Sequence, residues 1–179
     1  MLQITIPETE IFNEITSEFI YVKQTNLRLE HSLLSISKWE ENWGKSYIDT
    51  DKKTREETLD YIRCMTITPN VDPNVYRCIT NPIMQQINQY IDRPMTATRL
   101  PKPKPSAKKK IITSEEIYYQ MFELGIPLEF EKRHLNRLLM QIRVCQAYRE
   151  PAKKRSTSEI ISSHRAINEA NKKRFKTKG

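Results

Sequence analysis

A chain of 179 residues with 30 Lys+Arg, 22 Asp+Glu and three glycines is long enough for one domain or two small ones. Gly44, Gly125 and Gly179 stand far apart, so no Walker loop, dinucleotide fingerprint or glycine-rich kinase loop can be written, since each needs closely spaced glycines to bring backbone amides up to a phosphate. Charge is divided along the chain: residues 1–100 carry 11 Lys+Arg against 14 Asp+Glu, and residues 101–179 carry 19 against 8.

Leu2-Gln-Ile-Thr-Ile6 alternates apolar and polar residues and ends at Pro7, which predicts one short strand. Glu18-Phe-Ile-Tyr-Val-Lys23 is a second extended run. From Leu29 the period changes: Leu29, Leu33, Ile36, Trp39 and Trp43 fall on one helical stripe, with Gly44 placed to end the helix. Thr54-Arg-Glu-Glu57 is a capping box ahead of the stripe Leu59, Ile62 and Met65. Asp72-Pro73 and Asn81-Pro82 pair a good N-cap with a first-turn proline, predicting helices near 73–79 and 82–91, the second burying Ile83, Ile87 and Tyr90 or Ile91.

Between Arg99 and Lys110 alternating proline removes backbone donors while lysines repel one another. This stretch predicts a linker at 95–111, separating a mostly helical domain, 1–94, from a basic helical domain, 112–179. Thr113-Ser-Glu-Glu116 repeats the capping-box pattern and opens a helix through Ile117, Tyr118, Met121 and Leu124 that Gly125 and Pro127 end. The longest helix is expected from Pro127 to about Ala147, with Leu135, Leu138, Leu139, Ile142 and Cys145 at helical spacing. Ser156-Thr-Ser-Glu159 starts a last helix with Ile160, Ile161 and Ile167, and beyond Ala170 only Phe175 is apolar, so a frayed tail is expected. The fold class is therefore mainly α with a small N-terminal β element, as two small helical modules joined by a Pro/Lys-rich linker.

Chemical signatures are sparse. Cys64, Cys78 and Cys145 match neither a zinc spacing nor a disulfide framework, and His31, His134 and His164 accompany no metal motif. Reduced thiols, no metal and no cofactor are expected. The opening MLQITIPETEIF has no basic region followed by an apolar stretch, and nowhere do 18 apolar residues run together, so a soluble protein without a membrane partner is expected. Asp49-Thr-Asp51 has the DxD spacing of some metal-dependent transferases, but Lys52 and Lys53 follow at once and a solvated turn is the better reading. The adjacent pairs Glu40-Glu41, Glu56-Glu57 and Glu115-Glu116 point about 100° apart on a helix and cannot face each other as general acid and base. His134 and Cys145 read as boundary and core residues. No catalytic residue is assigned, and a non-enzymatic protein is expected.

Two kinds of partner-binding residue remain. Trp39 and Trp43, one turn apart, and Tyr118-Tyr119 are aromatic anchors, with one tryptophan expected in the core and the other at its boundary. Lys153, Lys154, Arg155, Arg165, Lys172, Lys173 and Arg174 form a basic patch that would give salt-dependent phosphate contacts. Aromatics beside it are too few for a stacking platform, which makes nucleic acid the weaker partner.

Leu33-Leu-Ser-Ile-Ser-Lys-Trp-Glu-Glu-Asn-Trp43, Thr58-Leu-Asp-Tyr-Ile-Arg-Cys-Met65 and Tyr90-Ile-Asp-Arg-Pro-Met-Thr-Ala-Thr98 resemble segments of the tail assembly chaperones of long-tailed bacteriophages of Gram-positive hosts. Ile117-Tyr-Tyr-Gln-Met121, Gly125-Ile-Pro127 and His134-Leu-Asn-Arg-Leu-Leu139 resemble the C-terminal extension of the same proteins. The resemblance spans nearly the whole chain and implies a non-enzymatic protein of the bacterial host cytoplasm, absent from the finished virion. It also implies that such a protein keeps the tape-measure protein soluble and helps recruit tail-tube subunits. In many such relatives a shorter form arises by ribosomal frameshifting near the domain junction, where Lys108-Lys-Lys110 stands here. The residues alone describe an adaptor with two binding modules, which admits a homo-oligomer and equally fits a structural virion connector or a small basic nucleic-acid binder.

Overall fold

The extended run at Leu2–Ile6 forms as predicted, and the ribbon it starts is longer than the sequence suggests. In the computed structural model, which describes residues 1–13, 17–100, 111–149 and 157–175, β1 (Leu2–Ile6) pairs antiparallel with β4 (Thr25–Leu29), and β2 (Thr9–Asn13) pairs antiparallel with β3 (Glu18–Val22). The two ladders keep one register, Ile6 facing Thr25 at the end of the first and Thr9 facing Val22 at the start of the second. They are two lengths of one hairpin ribbon, interrupted where Pro7 has no N–H to donate.

The buried face changes side at that interruption. Ile4, Ile6, Leu27 and Leu29 are buried in the proximal ladder, whereas in the distal one Val22 is buried and Ile11 and Ile20 are half-buried. A strand that kept its period of two through Pro7 would bury positions 8, 10 and 12 instead.

Seven α-helices and one short 3-10 helix follow among the described residues. In α1 (Leu33–Trp43) the Ser32 hydroxyl accepts the Ser35 N–H and Gly44, at φ 62°, closes the C-terminus in the left-handed region. Helix α2 (Arg55–Met65) has both bonds of its predicted capping box, between Thr54 and Glu57. Its C-terminal end covers the free edge of β4: the Glu30 N–H donates to the Met65 carbonyl at 2.9 Å and the Ile67 N–H to the Arg28 carbonyl at 2.8 Å.

Helices α3 (Asn74–Arg77) and α4 (Asn81–Ile91) lie where the two Pro-marked starts place them, α4 burying Ile87 and Tyr90. In α5 (Ser114–Leu124) Thr113 makes no side-chain cap bond. The Glu40 carboxylate of α1 takes its place by accepting the Ser114 N–H at 2.7 Å and the Tyr47 N–H at 2.9 Å. One buried acid thereby joins α1, the loop after it and α5.

Two expectations about helix extents differ from the structure. Leu29 belongs to β4 rather than to the first helix, because the Ser32 cap starts α1 three residues later. The helix expected from Pro127 divides into a 3-10 helix (Leu128–Lys132) and α6 (Leu135–Arg149). Between them the backbone is held out of the helix: His134 bridges Ser32, and the Leu135 N–H donates to the His31 carbonyl at 2.7 Å. Helix α7 runs over Thr157–Phe175, and residues 176–179 lie outside the described residues.

The chain divides at Gln146/Ala147, close to the end of α6 and far from the expected boundary at 95–111. Residues 101–110 of that linker lie outside the described residues. Ile117, Met121, Leu135, Leu138 and Ile142, assigned by the sequence to a separate module, are buried in the same cluster as Leu33, Ile36 and Trp39. Cleavage at a protease site inserted near Ser106 should consequently give two bands on a denaturing gel and a single peak in gel filtration, since separating the pieces would expose the apolar side chains of α5 and α6. Separation of the fragments without denaturant would restore the two-module division.

Candidate functional site

The β4–α1 corner, α1 and the loop after it, helices α2 and α4 and the turn before α6 bring seven rings into a continuous row. Trp43 stacks on Trp39 at 6.1 Å between centroids, Trp39 meets Tyr47 edge-on at 5.2 Å, and Tyr47 stacks on Tyr61 at 3.9 Å. Tyr61 meets His31 at 5.9 Å, His31 meets His134 at 5.1 Å, and His134 meets Tyr90 at 5.0 Å. The predicted pair Trp39 and Trp43 is therefore the outer end of an interior structure. Trp39 is fully buried and its Nε1–H donates to the Glu57 carbonyl at 2.9 Å; Trp43 is half-buried and donates to Asp60 Oδ2 at 2.9 Å.

Both histidines in the row are uncharged near neutral pH. Burial, then the nearness of His134, pushes His31 down to about 3, and burial also lowers His134. The neutral form of His134 has both ring nitrogens matched, Nδ1 accepting the Asn136 N–H at 3.3 Å and Nε2–H donating to the Tyr90 carbonyl at 3.1 Å. His31 Nδ1 is hydrogen-bonded to the Tyr61 hydroxyl. Burial raises Tyr47, Tyr61 and Tyr90. Nothing in the row changes charge between pH 7 and 8, so it offers packing rather than a general acid or base.

Several titratable groups near the row are engaged by their neighbours. Beside the row, a cavity of about 500 Å³ lies among Tyr47, Asp51, Lys53, Tyr61, Ile87 and Asp92. Its cation is turned inward: Lys53 Nζ donates to the Thr50 carbonyl at 2.7 Å and sits 4.1 Å from the Tyr47 ring centroid. Burial pushes the Cys64 thiol up to about 11, away from the reactive thiolate. Asp49 accepts the Ile112 N–H at 2.5 Å, so half of the DxD spacing fastens the segment just before α5. Among the described residues no three His, Cys, Asp or Glu side chains gather as a metal site, and no helix is long and apolar enough to cross a membrane.

The remaining predicted residues fall in separate places. Tyr118 is half-buried and its hydroxyl donates to Glu131 Oε2 at 2.8 Å, while its neighbour Tyr119 is exposed. On α7, Arg165, Lys172, Lys173 and Arg174 are all exposed, the last three in the final turn where cations complement the helix dipole. Lys153, Lys154 and Arg155 lie outside the described residues.

Two apolar surfaces include residues to which the sequence reading gives no role. On α5, Phe122 is exposed three residues from Tyr119, hence on the same side of the helix. On the distal ribbon Phe12, Phe19 and Tyr21 are exposed together. The sequence reading misses β2 and β4: Ile11 and Phe12 are adjacent, so Thr9–Asn13 shows no alternation, and Leu29 falls on the helical stripe. Comparison with protein-family models, curated proteins and solved structures finds no match.

Proposed function

We propose that this chain is a phage tail assembly chaperone of the bacterial host cytoplasm, a non-enzymatic protein that holds the tape-measure protein in solution and helps bring tail-tube subunits to it. The motif resemblance from Leu33 to Leu139 supports the reading. The observation that carries it is the exposure of Tyr119 and Phe122 on α5, a helix whose opposite side is anchored by buried Ile117 and Met121. A rigid helix presenting aromatic side chains to solvent is suited to covering the apolar stripe of a long helical client, because large, nearly rigid rings supply contact area at little entropic cost.

Co-expression tests it. The tape-measure protein should stay soluble with the wild-type chain and pellet when Tyr119→Ser and Phe122→Ser are combined, while the circular dichroism of the variant is unchanged. Replacing Trp43 should act on stability, since its indole is already bonded to Asp60. The exposed cations of α7 favour the alternative, a basic nucleic-acid binder. Client solubility that ignores the α5 substitutions, together with a salt-sensitive nucleic-acid affinity lost on neutralising Arg165, Lys172, Lys173 and Arg174, would replace the chaperone reading with that one.

A further inference from the structure

The distal ribbon is built to show a surface of unusual composition. The change of buried face at Pro7 turns Val22 and the Ile11–Ile20 pair inward and sends the Glu10–Tyr21 and Phe12–Phe19 pairs out. Phe19 is 72% exposed, Tyr21 54% and Phe12 48%, values that large aromatic side chains avoid unless something else covers them. Their geometry is nevertheless fixed. Phe12 and Phe19 meet across the strands with centroids 5.2 Å apart, and the Tyr21 hydroxyl donates to Glu8 Oε2 at 2.8 Å.

Charge indicates what would cover them. Residues 8–23 hold Glu8, Glu10, Glu14 and Glu18 against a single cation, Lys23, in a chain whose net charge is +8. We propose that the outer face of β2 and β3 is a docking surface for a cationic amphipathic segment, with aliphatic anchors against Phe12, Phe19 and Tyr21 and Lys or Arg reaching Glu8 and Glu10. Exposed carboxylates alone would hold such a segment weakly. Aromatic faces add desolvated area and cation–π attraction, and the acids select the sign of the partner and speed its approach. The same glutamates disfavour two other occupants: a second copy laid on the same face would double the negative charge there, and nucleic acid is repelled outright.

This surface is separate from the aromatic face of α5, so the inference stands or falls without the chaperone reading. Its test uses the full chain and a fluorescein-labelled peptide of about four helical turns, with leucine on one face and lysine on the other. Anisotropy should show saturable binding to the wild-type protein. Affinity should fall at least about tenfold when the lysines become glutamate, or the leucines serine. Phe19→Ser and, independently, Glu10→Lys should each weaken the leucine–lysine peptide by a similar factor, and Tyr148→Ser, at an exposed aromatic outside both surfaces, should leave it unchanged. Equal binding of the glutamate peptide, indifference to both ribbon substitutions, or a wild-type dimer in sedimentation that Phe19→Ser converts to monomer would overturn the proposal.

Discussion

Trp39→Ala should destabilise the chain by about 3–5 kcal/mol, the cost of deleting a fully buried indole whose surroundings cannot collapse into the space. Trp39 is held from several directions: Trp43 at 6.1 Å and Tyr47 at 5.2 Å on its ring, and Lys45 and Lys53 ammonium groups 5.8 and 5.9 Å from its centroid. Truncation also removes the indole N–H bond to the Glu57 carbonyl, which adds about 0.5–1.5 kcal/mol. Since whole domains are stable by about 5–15 kcal/mol, urea unfolding should show a midpoint shifted by a large fraction, with Trp43 as the remaining fluorophore. Trp43→Ala, at a half-buried position, should cost less than half as much. Equal effects of the two substitutions, or a loss below about 1 kcal/mol at Trp39, would contradict the interior role of the row.

Local signals transferred well from sequence to structure wherever a side chain acts on its own backbone. Thr54 with Glu57, and Gly44 and Gly125 at their helix ends, are such cases, because hydroxyl, carboxylate and absent Cβ decide those geometries within one turn. What the sequence hid depends on partners far along the chain. Helix α5 takes its first-turn acceptor from Glu40, 74 residues away, so the local Thr113-Ser-Glu-Glu116 pattern named the right start with the wrong capping group. The break between Lys132 and Leu135 exists because residues 31 and 32 claim the backbone there, and no period within 127–147 reveals it. The module boundary was misplaced for a related reason: prolines and lysines mark where packing stops locally, not whether the next helix returns to the same core. Of the residues proposed for partner binding, Trp39 proved interior and Tyr119 exposed. Composition cannot make that distinction, because an indole and a phenol serve equally well in a core and at an interface.

Mild acid should weaken the fold, and His31 should set the slope. Its pKa is pushed from 6.5 to about 3 by burial and by the neighbouring His134, so between those values the unfolded chain binds a proton that the folded one refuses. Stability contributed by the neutral ring is therefore complete above about pH 6.5 and is lost progressively as pH falls towards 3, at up to about 1.4 kcal/mol per pH unit. Lowering the pH from 6.5 to 5 should remove roughly 2 kcal/mol through His31, and His134, also lowered by burial, acts in the same direction. Tyr47, Tyr61 and Tyr90 around the pair are raised and stay neutral throughout. Glu57, held down first by its hydrogen bond from Lys45, also loses its contribution on acidification, but from its ordinary 4.5 downwards and so below this window. The histidine effect is thus isolated between pH 5 and 6.5. Urea unfolding across that interval should give a positive slope of stability against pH. His31→Gln, which keeps a hydrogen-bonding partner for the Tyr61 hydroxyl and cannot titrate, should start from a lower stability yet lose the His31 part of that slope, keeping only what His134 adds in the same direction. Protonation would place a cation 5.1 Å from a second imidazole with no carboxylate bonded to either ring, which is why the folded state resists it. A wild-type stability flat from pH 6.5 to 5, or a slope untouched by His31→Gln, would mean that water or a rearranged Glu30 reaches the pair and that the corner between β4 and α6 is looser than its packing indicates.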